Sequence, residues 1–194
     1  MRKAFLIIFV FLFGCRDKFP VLEDFSKDHF HLKNQNNQEI LFPDFAKGNI
    51  VLVNYIFTNC PDICPLSTNN LRLIQRRLKD EKIKDVYFIS LSFDPENDTP
   101  EALSKFAEIR NLDLSNWQFL TGNKPAIDSI IKKANVIAAK SDSTIFKNGR
   151  KIFSFIHTDR IQLIDALSQI RKNYKGSTAN IDEIVTDVKS LQKN

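Results

Sequence analysis

The sequence lacks the features that define several large classes of protein. It has five glycines and seven prolines among 194 residues, which excludes a collagen-like chain and a Gly/Pro-rich linker. It has no internal repeat. The apolar run at residues 4–13 covers ten positions, whereas a transmembrane helix needs about 20. Histidine is also scarce, with three in the chain, which disfavours a structural zinc site because such a site needs four nitrogen or sulfur ligands.

The composition that remains is typical of one globular domain. Seventeen phenylalanines and 43% apolar residues can bury enough surface to offset the entropy lost on folding, and the length fits a single core. Basic residues number 28 against 23 acidic ones. The densest basic cluster, Arg72, Arg76 and Arg77, lies in a segment with helical periodicity and is expected to form a solvated helix face. We therefore expect no binding of nucleic acid.

The N-terminus has the layout of a secretory signal. Met1–Lys3 is a short basic start, and an apolar run and a small residue follow it. Leu12–Cys15 (LFGC) resembles the lipobox of bacterial lipoprotein precursors, which are cut before a cysteine that receives lipid. The resemblance implies a signal peptide over residues 1–14, a lipid on Cys15 and an extracytoplasmic domain held at a membrane. The polar composition of the segment that follows predicts a tether over residues 15–28. An uncleaved anchor is the alternative.

Apolar periodicity in the rest of the chain predicts an α/β fold. Polar residues 34–37 separate two short alternating runs, which predicts an N-terminal hairpin. Residues 50–57 and 86–93 are continuous apolar runs typical of buried strands, and a helical stripe follows the first of them. The later predictions are a helix over 99–110, a strand over 117–121, a helix over 126–134, a hairpin over 144–156 and an amphipathic helix over 159–172. This order predicts a mixed central sheet flanked by helices, in a domain over residues 29–175 that a C-terminal helix over residues 176–194 follows.

Two cysteines, Cys60 and Cys64, lie where the first buried strand gives way to a helix. Backbone N–H groups at a helix N-terminus stabilise anions, so we expect lowered thiol pKa values there. The pair suits thiol–disulfide exchange, with Cys60 attacking and Cys64 resolving the mixed disulfide. It also suits the binding of Cu(I), which prefers thiolate ligands. A permanent structural disulfide is less favoured. It would close a very short loop, so it would lower the entropy of the unfolded chain only slightly and stabilise the fold little.

Other functions of the cysteines and histidines receive less support. A peroxidase of the peroxiredoxin type has Pro seven residues before its reactive cysteine and Ser or Thr three residues before it. This chain has Val53 and Phe57 at those positions. His29 and His31 share one face of a predicted strand, where we expect a half-exposed polar pair, with an auxiliary metal contact as the alternative.

Three segments resemble, in order, motifs of the Sco/SenC family. Residues 58–65 (TNCPDICP) resemble its T-x-C-P-x-x-C-P loop, residues 92–103 (SFDPENDTPEAL) its S-x-D-P-x-x-D-T-P-x-x-L segment, and residues 117–122 (WQFLTG) its W-x-F-L-T-G motif. The resemblance covers roughly residues 30–172. It implies a thioredoxin-like fold and a membrane anchor outside the cytoplasm. It also implies delivery of copper to, or thiol reduction of, the CuA site of cytochrome c oxidase.

The resemblance further implies a third copper ligand besides Cys60 and Cys64. Family members carry a histidine before the hairpin that follows W-x-F-L-T-G. With that hairpin predicted at residues 144–156, the corresponding region, residues 138–146, contains no histidine, and the chain departs from the family pattern. His157 is then the candidate replacement, because the end of its strand would border the cysteine loop. A surface histidine near a helix cap is the alternative interpretation.

Two carboxylates lie in the second motif. Asp94 comes at the carboxyl end of a predicted strand, which is the functional side of an α/β sheet. Asp98 precedes Thr99-Pro100, a pair typical of a helix start. We expect Asp98 to belong mainly to the helix cap, and we expect catalysis by neither carboxylate.

Overall fold

A computed structural model describes residues 19–145 and 151–192. The predicted signal peptide, Cys15 and the turn of the hairpin predicted at 144–156 lie outside these ranges. The strands are β1 (Glu23–Asp24), β2 (Phe30–Asn34), β3 (Glu39–Phe42), β4 (Ile50–Ile56), β5 (Val86–Ser92), β6 (Trp117–Gly122), β7 (Ala138–Ile145), β8 (Lys151–His157), β9 (Ile161–Ile164) and β10 (Gln169–Tyr174). The helices are α1 (Ile63–Asp80), α2 (Pro100–Ile109), α3 (Lys124–Lys133) and α4 (Ile181–Leu191).

Eight of these strands form one mixed sheet in the order β1-β10-β9-β4-β5-β6-β2-β3. The central pairs β4–β5 and β5–β6 are parallel, and the outer pairs are antiparallel. Every residue of β4 is buried, as its continuous apolar run predicts. β2 and β3 form the predicted N-terminal hairpin. The α/β prediction with a mixed central sheet is therefore confirmed.

A buried polar network ties the centre of the sheet to α1. The Asn54 side-chain amide donates to Ser67 Oγ at 3.2 Å, and Ser90 Oγ donates to Asn54 Oδ1 at 2.7 Å. The Trp117 indole N–H in turn donates to Ser90 Oγ at 3.0 Å. Because each buried polar group has a partner, the network fixes β4, β5 and β6 against the helix that carries Cys64.

Residues 19–28 pack on the sheet, although the sequence predicts a tether over residues 15–28. Phe19 and Phe25 are each 1% exposed, and β1 pairs with β10. The guanidinium of Arg171 donates to the carbonyl oxygen of Phe19 at 2.7 Å. Two isolated aromatic side chains hold this segment, so hydrophobic periodicity gives no sign of it. The part of the predicted tether that the structure describes therefore belongs to the domain.

The prediction of a helix over residues 159–172 is wrong, because the segment forms the antiparallel pair β9–β10. Ile161, Ile164 and Leu167 are three residues apart and so imitate a helical stripe. In the structure, the first two are buried on β9 and Leu167 lies exposed in the turn that follows. The central sheet therefore contains two strands, β9 and β10, that the sequence does not predict. The hairpin predicted before them forms a separate two-stranded ribbon, β7–β8.

The C-terminal helix α4 packs on the domain against α1. Ile184, Val185 and Val188 are buried, and the Tyr174 hydroxyl donates to the Asp187 carboxylate at 3.0 Å. The sequence leaves open whether this helix packs or extends, and the structure shows that it packs. Among the helices that the structure describes, none combines the length and apolar character needed to cross a membrane.

Candidate metal centre

The structure brings Cys60, Cys64 and His157 together from distant parts of the chain. The Nε2 atom of His157 lies 4.0 Å from Cys60 Sγ and 3.9 Å from Cys64 Sγ. The three candidate ligand atoms all lie within 4.8 Å of one another, and both cysteines are free thiols. All three residues predicted as copper ligands therefore meet at one point.

Each of the three residues owes its position to a different element. Cys60 lies in the loop after β4, and Cys64 lies in the first turn of α1, which begins after its N-cap Asp62. His157 is the last residue of β8, where it pairs with Ala138 of β7. The sheet and α1 therefore position the sulfurs, and the β7–β8 ribbon supplies the imidazole.

Cys60 and Cys64 differ strongly in acidity. A hydrogen bond from the Cys64 thiol, helped by His157 and by backbone N–H groups, lowers the pKa of Cys60 to about 4 despite its burial. The backbone N–H of Cys64, at the start of α1, is one of these donors, 3.4 Å from Cys60 Sγ. The same thiol–thiolate bond, together with burial, raises the pKa of Cys64. Cys60 is therefore the thiolate at neutral pH, and it is also the more reachable sulfur, 7% exposed against 0% for Cys64.

The orientation of the His157 ring presents one nitrogen to the sulfurs. Its Nδ1 atom lies 3.3 Å from the carbonyl oxygen of Thr158. A carbonyl only accepts, so Nδ1 carries a proton and the neutral ring has its lone pair at Nε2. Burial alone would lower the pKa of His157, but the hydrogen bonds with Cys60 and the Thr158 carbonyl, together with the nearby negative charges of Cys60 and Asp159, outweigh burial and raise this pKa above its usual value. Nε2 can therefore hold a proton beside the thiolate or release it to bind a metal ion.

Three phenylalanines enclose the His157 side of the centre. The centroid of the imidazole ring lies 5.9 Å from that of the Phe57 ring and 5.1 Å from that of the Phe93 ring. The ring centroid of Phe155 lies 4.9 Å from that of Phe57 and 5.2 Å from that of Phe93. An apolar wall limits access of water to the sulfurs and the ring. No motif in the sequence predicts this wall. The one available signal is that Phe57 and Phe93 directly follow two neighbouring parallel strands.

Asp98 lies buried behind the cysteine loop. Its carboxylate accepts hydrogen bonds from the Thr58 backbone N–H at 3.1 Å, from the Thr58 hydroxyl at 2.5 Å and from the Ser92 hydroxyl at 2.5 Å. Burial raises the pKa of Asp98 to about 6. The side-chain cap of α2 is Thr99, whose hydroxyl accepts from a backbone N–H of the helix. Asp98 therefore holds the loop two residues before Cys60, a role that the sequence does not reveal.

The other candidates lie outside the centre. Asp94 is buried just after β5, where Asn97 donates to its carboxylate at 2.9 Å, and burial raises the pKa of Asp94. His29 contacts Asp44 through Nδ1 at 2.6 Å on the surface, and His31 is exposed on β2. None of them belongs to the group of possible metal ligands found in the described part of the chain.

The second hairpin also bears on the apparent departure from the family pattern. The expected histidine precedes a hairpin, and the sequence predicts the later hairpin at residues 144–156, with a helix over residues 159–172 after it. In the structure the hairpin β9–β10 replaces that helix, and His157 lies shortly before β9. His157 therefore precedes a hairpin, as the expected histidine does, although residues 138–146 contain no histidine.

The fold and the centre define a thioredoxin-like protein with a cysteine pair at a helix N-terminus and a histidine supplied by a separate ribbon. The chain belongs to the SCO1/SenC family, whose family model matches residues 22–193. Over 188 residues it is 35% identical to the SCO1 protein homolog of Bacillus subtilis (strain 168). This match covers 95% of this chain and 92% of that one. The resemblance seen in the three motifs is therefore confirmed.

Solved structures of the family share the fold. A SCO1/SenC family lipoprotein from Bacillus anthracis str. Ames has a TM-score of 0.71 at 32% identity, covering 85% of this chain and 94% of that one. BsSco has a TM-score of 0.70 at 33% identity, and the match covers 88% of this chain and 95% of that one. BsSco is a member of the Sco family of cytochrome c oxidase assembly proteins, and a disulfide switch was identified in it. Copper-bound ScoI from Bradyrhizobium japonicum has a TM-score of 0.70 at 26% identity, covering 84% and 97%. The prediction of a thioredoxin-like fold is confirmed.

Proposed function

We propose that this protein binds copper through Cys60, Cys64 and His157 and delivers it to the CuA site of cytochrome c oxidase. The observation that carries the proposal is the arrangement of two sulfurs and one imidazole nitrogen within 4.8 Å. Thiolates are preferred ligands of Cu(I), and imidazole also suits Cu(II). The copper bound to ScoI of Bradyrhizobium japonicum supports copper as the cargo. The description of BsSco as a member of a family of cytochrome c oxidase assembly proteins supports the oxidase as the destination.

Loading the site requires deprotonated ligands. The lowered pKa of Cys60 supplies one thiolate at neutral pH, whereas Cys64 has to give up its proton when the ion arrives. Nε2 of His157 completes a three-coordinate set. Since Cys60 is the more exposed sulfur, a thiolate of the acceptor reaches the bound ion from the Cys60 side, and copper can pass to it by stepwise exchange of ligands.

The acidity of Cys60 also favours a second function, thiol–disulfide exchange at the same acceptor without stored copper. The Cys60 thiolate would attack an acceptor disulfide, form a mixed disulfide and release one acceptor thiolate. Cys64 would then attack Cys60 Sγ and release the second acceptor thiol. The acceptor gains two electrons overall, and the chain is left with a Cys60–Cys64 disulfide. One proton comes from the Cys64 thiol, and the acceptor thiolate released first takes its proton from water.

Two mixtures distinguish these functions. In the first, the reduced, copper-loaded chain meets the reduced, copper-free CuA domain, and copper is measured on the separated proteins. In the second, the reduced, copper-free chain meets the oxidised CuA domain, and acceptor thiols are counted. Copper delivery predicts transfer in the first mixture. His157→Ala should reduce the amount of copper that the chain holds before mixing, and the matched surface change His29→Ala should not. Thiols gained in the second mixture, with no transfer in the first, would favour the exchange function instead.

We further propose that the protein lies outside the cytoplasm, held at a membrane by a lipid on Cys15. The lipobox-like residues before Cys15 support this, as does the description of the Bacillus anthracis relative as a lipoprotein. The test is the mass of the N-terminal peptide from the membrane fraction, together with the variant Cys15→Ser. We expect the N-terminal peptide to carry a lipid, and we expect Cys15→Ser to release the chain from membranes. An unmodified Cys15 in a membrane-bound chain would contradict the proposal.

A further inference from the structure

The N-terminal segment joins the domain at the end of the sheet opposite the copper site. The cysteine loop follows Ile56, the last residue of β4. The seven residues of β4, at about 3.3 Å each, separate the two ends by roughly 20 Å. At the other end, the Arg171 guanidinium holds the carbonyl oxygen of the buried Phe19, and the backbone N–H of Leu22 donates to the carbonyl of Ile170 at 2.8 Å.

The turn between β9 and β10 lies at this same end. Ile164, the last residue of β9, pairs with Val51 near the start of β4, and the Gly48 N–H donates to the carbonyl of Ala166 in the turn at 3.0 Å. The backbone N–H of Phe25 donates to the carbonyl of Ser168, also at 3.0 Å. The start of the described chain and this turn therefore form one continuous part of the surface.

This part of the surface exposes large apolar side chains beside lysines. We call it the anchor-end surface and define it by Val21, Leu22, Lys82, Lys84 and Leu167. The three apolar residues are 50%, 44% and 65% exposed. The two lysines are exposed and form no ion pair within the described chain. They line a cavity of about 840 Å³ together with Leu167. Exposed apolar groups mixed with unpaired lysines are typical of surfaces that lie at a phospholipid headgroup layer.

The distance along the chain to the proposed lipid is short. Phe19 comes four residues after Cys15, and four residues span at most about 14 Å. Arg16, Asp17 and Lys18 give this stretch a net charge of +1. A lipid on Cys15 would therefore keep the anchor-end surface within reach of the bilayer, whereas the copper site at the far end of β4 would stay beyond its reach.

We propose that the anchor-end surface lies on the phospholipid bilayer. Leu22 and Leu167 contact the interface, and Lys82 and Lys84 contact headgroup phosphates. The inference rests on the lipid anchor proposed for Cys15 and adds an orientation to it. The domain then stands with β4 pointing away from the membrane, and the copper site faces the space from which an acceptor arrives.

Tryptophan fluorescence in brominated vesicles tests this orientation with matched variants. Leu167→Trp places the probe on the anchor-end surface, and Leu66→Trp places it on another exposed leucine, 52% exposed in the first turn of α1 beside the copper site. The native Trp117 is fully buried and gives both variants the same background. The full chain is isolated from membranes and reconstituted into vesicles of phosphatidylcholine and phosphatidylglycerol, with and without bromine on the acyl chains.

Bromine is expected to remove the added fluorescence of Leu167→Trp and to leave that of Leu66→Trp unchanged. Combined Lys82→Gln and Lys84→Gln changes should weaken the quenching at Leu167→Trp, whereas Lys105→Gln on α2 should not. An unquenched Leu167→Trp on a chain that stays vesicle-bound would overturn the orientation and leave the lipid anchor intact. Quenching of Leu66→Trp would also overturn it. A chain that fails to stay on vesicles would remove the anchor and this inference together, without bearing on copper binding.

Discussion

The Nε2 atom of His157 lies 3.9 Å from the Sγ atom of Cys64, although 93 residues separate them in sequence. The contact joins the β7–β8 ribbon to the first turn of α1, and among the described residues no strand pairing links that ribbon to the eight-stranded sheet. The cysteine pair is built by the sheet and α1, and the imidazole is added from outside them. The contribution of the imidazole can therefore be removed without changing the elements that hold the sulfurs.

His157→Ala should weaken Cu(I) binding without abolishing it. The two sulfurs remain as ligands, but the third coordination position is lost. Changes that only reorient metal ligands already cost roughly 10- to 100-fold in affinity, so loss of a ligand should cost at least tenfold. Competition with a Cu(I) chelator measures the effect, and His31→Ala, which changes an exposed histidine, is the control. Equal affinities for the two variants would show that His157 is not a ligand.

The reduced, copper-free chain should be alkylated first at Cys60. Only the thiolate reacts, and the pKa of Cys60 is lowered to about 4, so the rate should rise as the pH passes through about 4 and should be constant around neutral pH. In His157→Ala the midpoint should move to higher pH, because the imidazole helps to stabilise the thiolate. Iodoacetamide labelling followed by peptide mass analysis measures both. A midpoint near the ordinary thiol pKa would contradict the assigned hydrogen bonds.

Asp98→Asn should destabilise the fold by about 1–3 kcal/mol, because one amide oxygen and an NH2 group that cannot accept replace two carboxyl oxygens that accept three hydrogen bonds. The effect should depend on pH. Burial raises the pKa of Asp98 from 3.8 to about 6, so its protonated form is favoured by folding. That stability is fully present below pH 3.8 and is lost as the pH rises through about 6. The advantage of the wild type over Asp98→Asn in urea unfolding should thus be larger at pH 4 than at pH 7.5.

Asp113→Asn provides the control for this pH dependence. A hydrogen bond from Lys79 lowers the pKa of Asp113 to about 2, so its contribution appears above its unfolded pKa and is lost only as the pH falls through about 2. The difference between the wild type and Asp113→Asn should therefore be nearly constant from pH 4.5 to 7.5. The same pH trend in both variants would mean that Asp98 is not the titrating group.

The sequence predicted those parts of the molecule that have a local signal. Continuous apolar runs indicated β4 and β5, and Cys60 and Cys64 at the following helix start indicated a reactive thiol pair. Local signals could not separate β9–β10 from a helix, because Ile161 and Ile164 have a spacing that suits both. The contacts between Asp98 and Thr58, and the wall formed by Phe57 and Phe93, arise only when neighbouring strands are placed side by side, so motif spacing did not predict them.

Ile184→Ala should destabilise the domain by about 2–5 kcal/mol, because it leaves a cavity where α4 packs against α1. Ile184 is fully buried, whereas Thr186 on the same helix is exposed, so Thr186→Ala should have little effect. Urea unfolding monitored by circular dichroism measures both. Copper affinity should be unchanged in both variants, because α4 contributes no ligand. Equal stability of Ile184→Ala and the wild type would show that α4 does not support the fold.

Titration of the reduced full chain with Cu(I) under anaerobic conditions, in competition with a chelator, tests the central claim most directly. We expect one tightly held copper per chain, lost in Cys60→Ser and in Cys64→Ser and weakened in His157→Ala. If the chelator retained all of the copper against the wild-type chain, the three residues would not form a copper site. The cysteine pair would then be a thiol–disulfide couple alone.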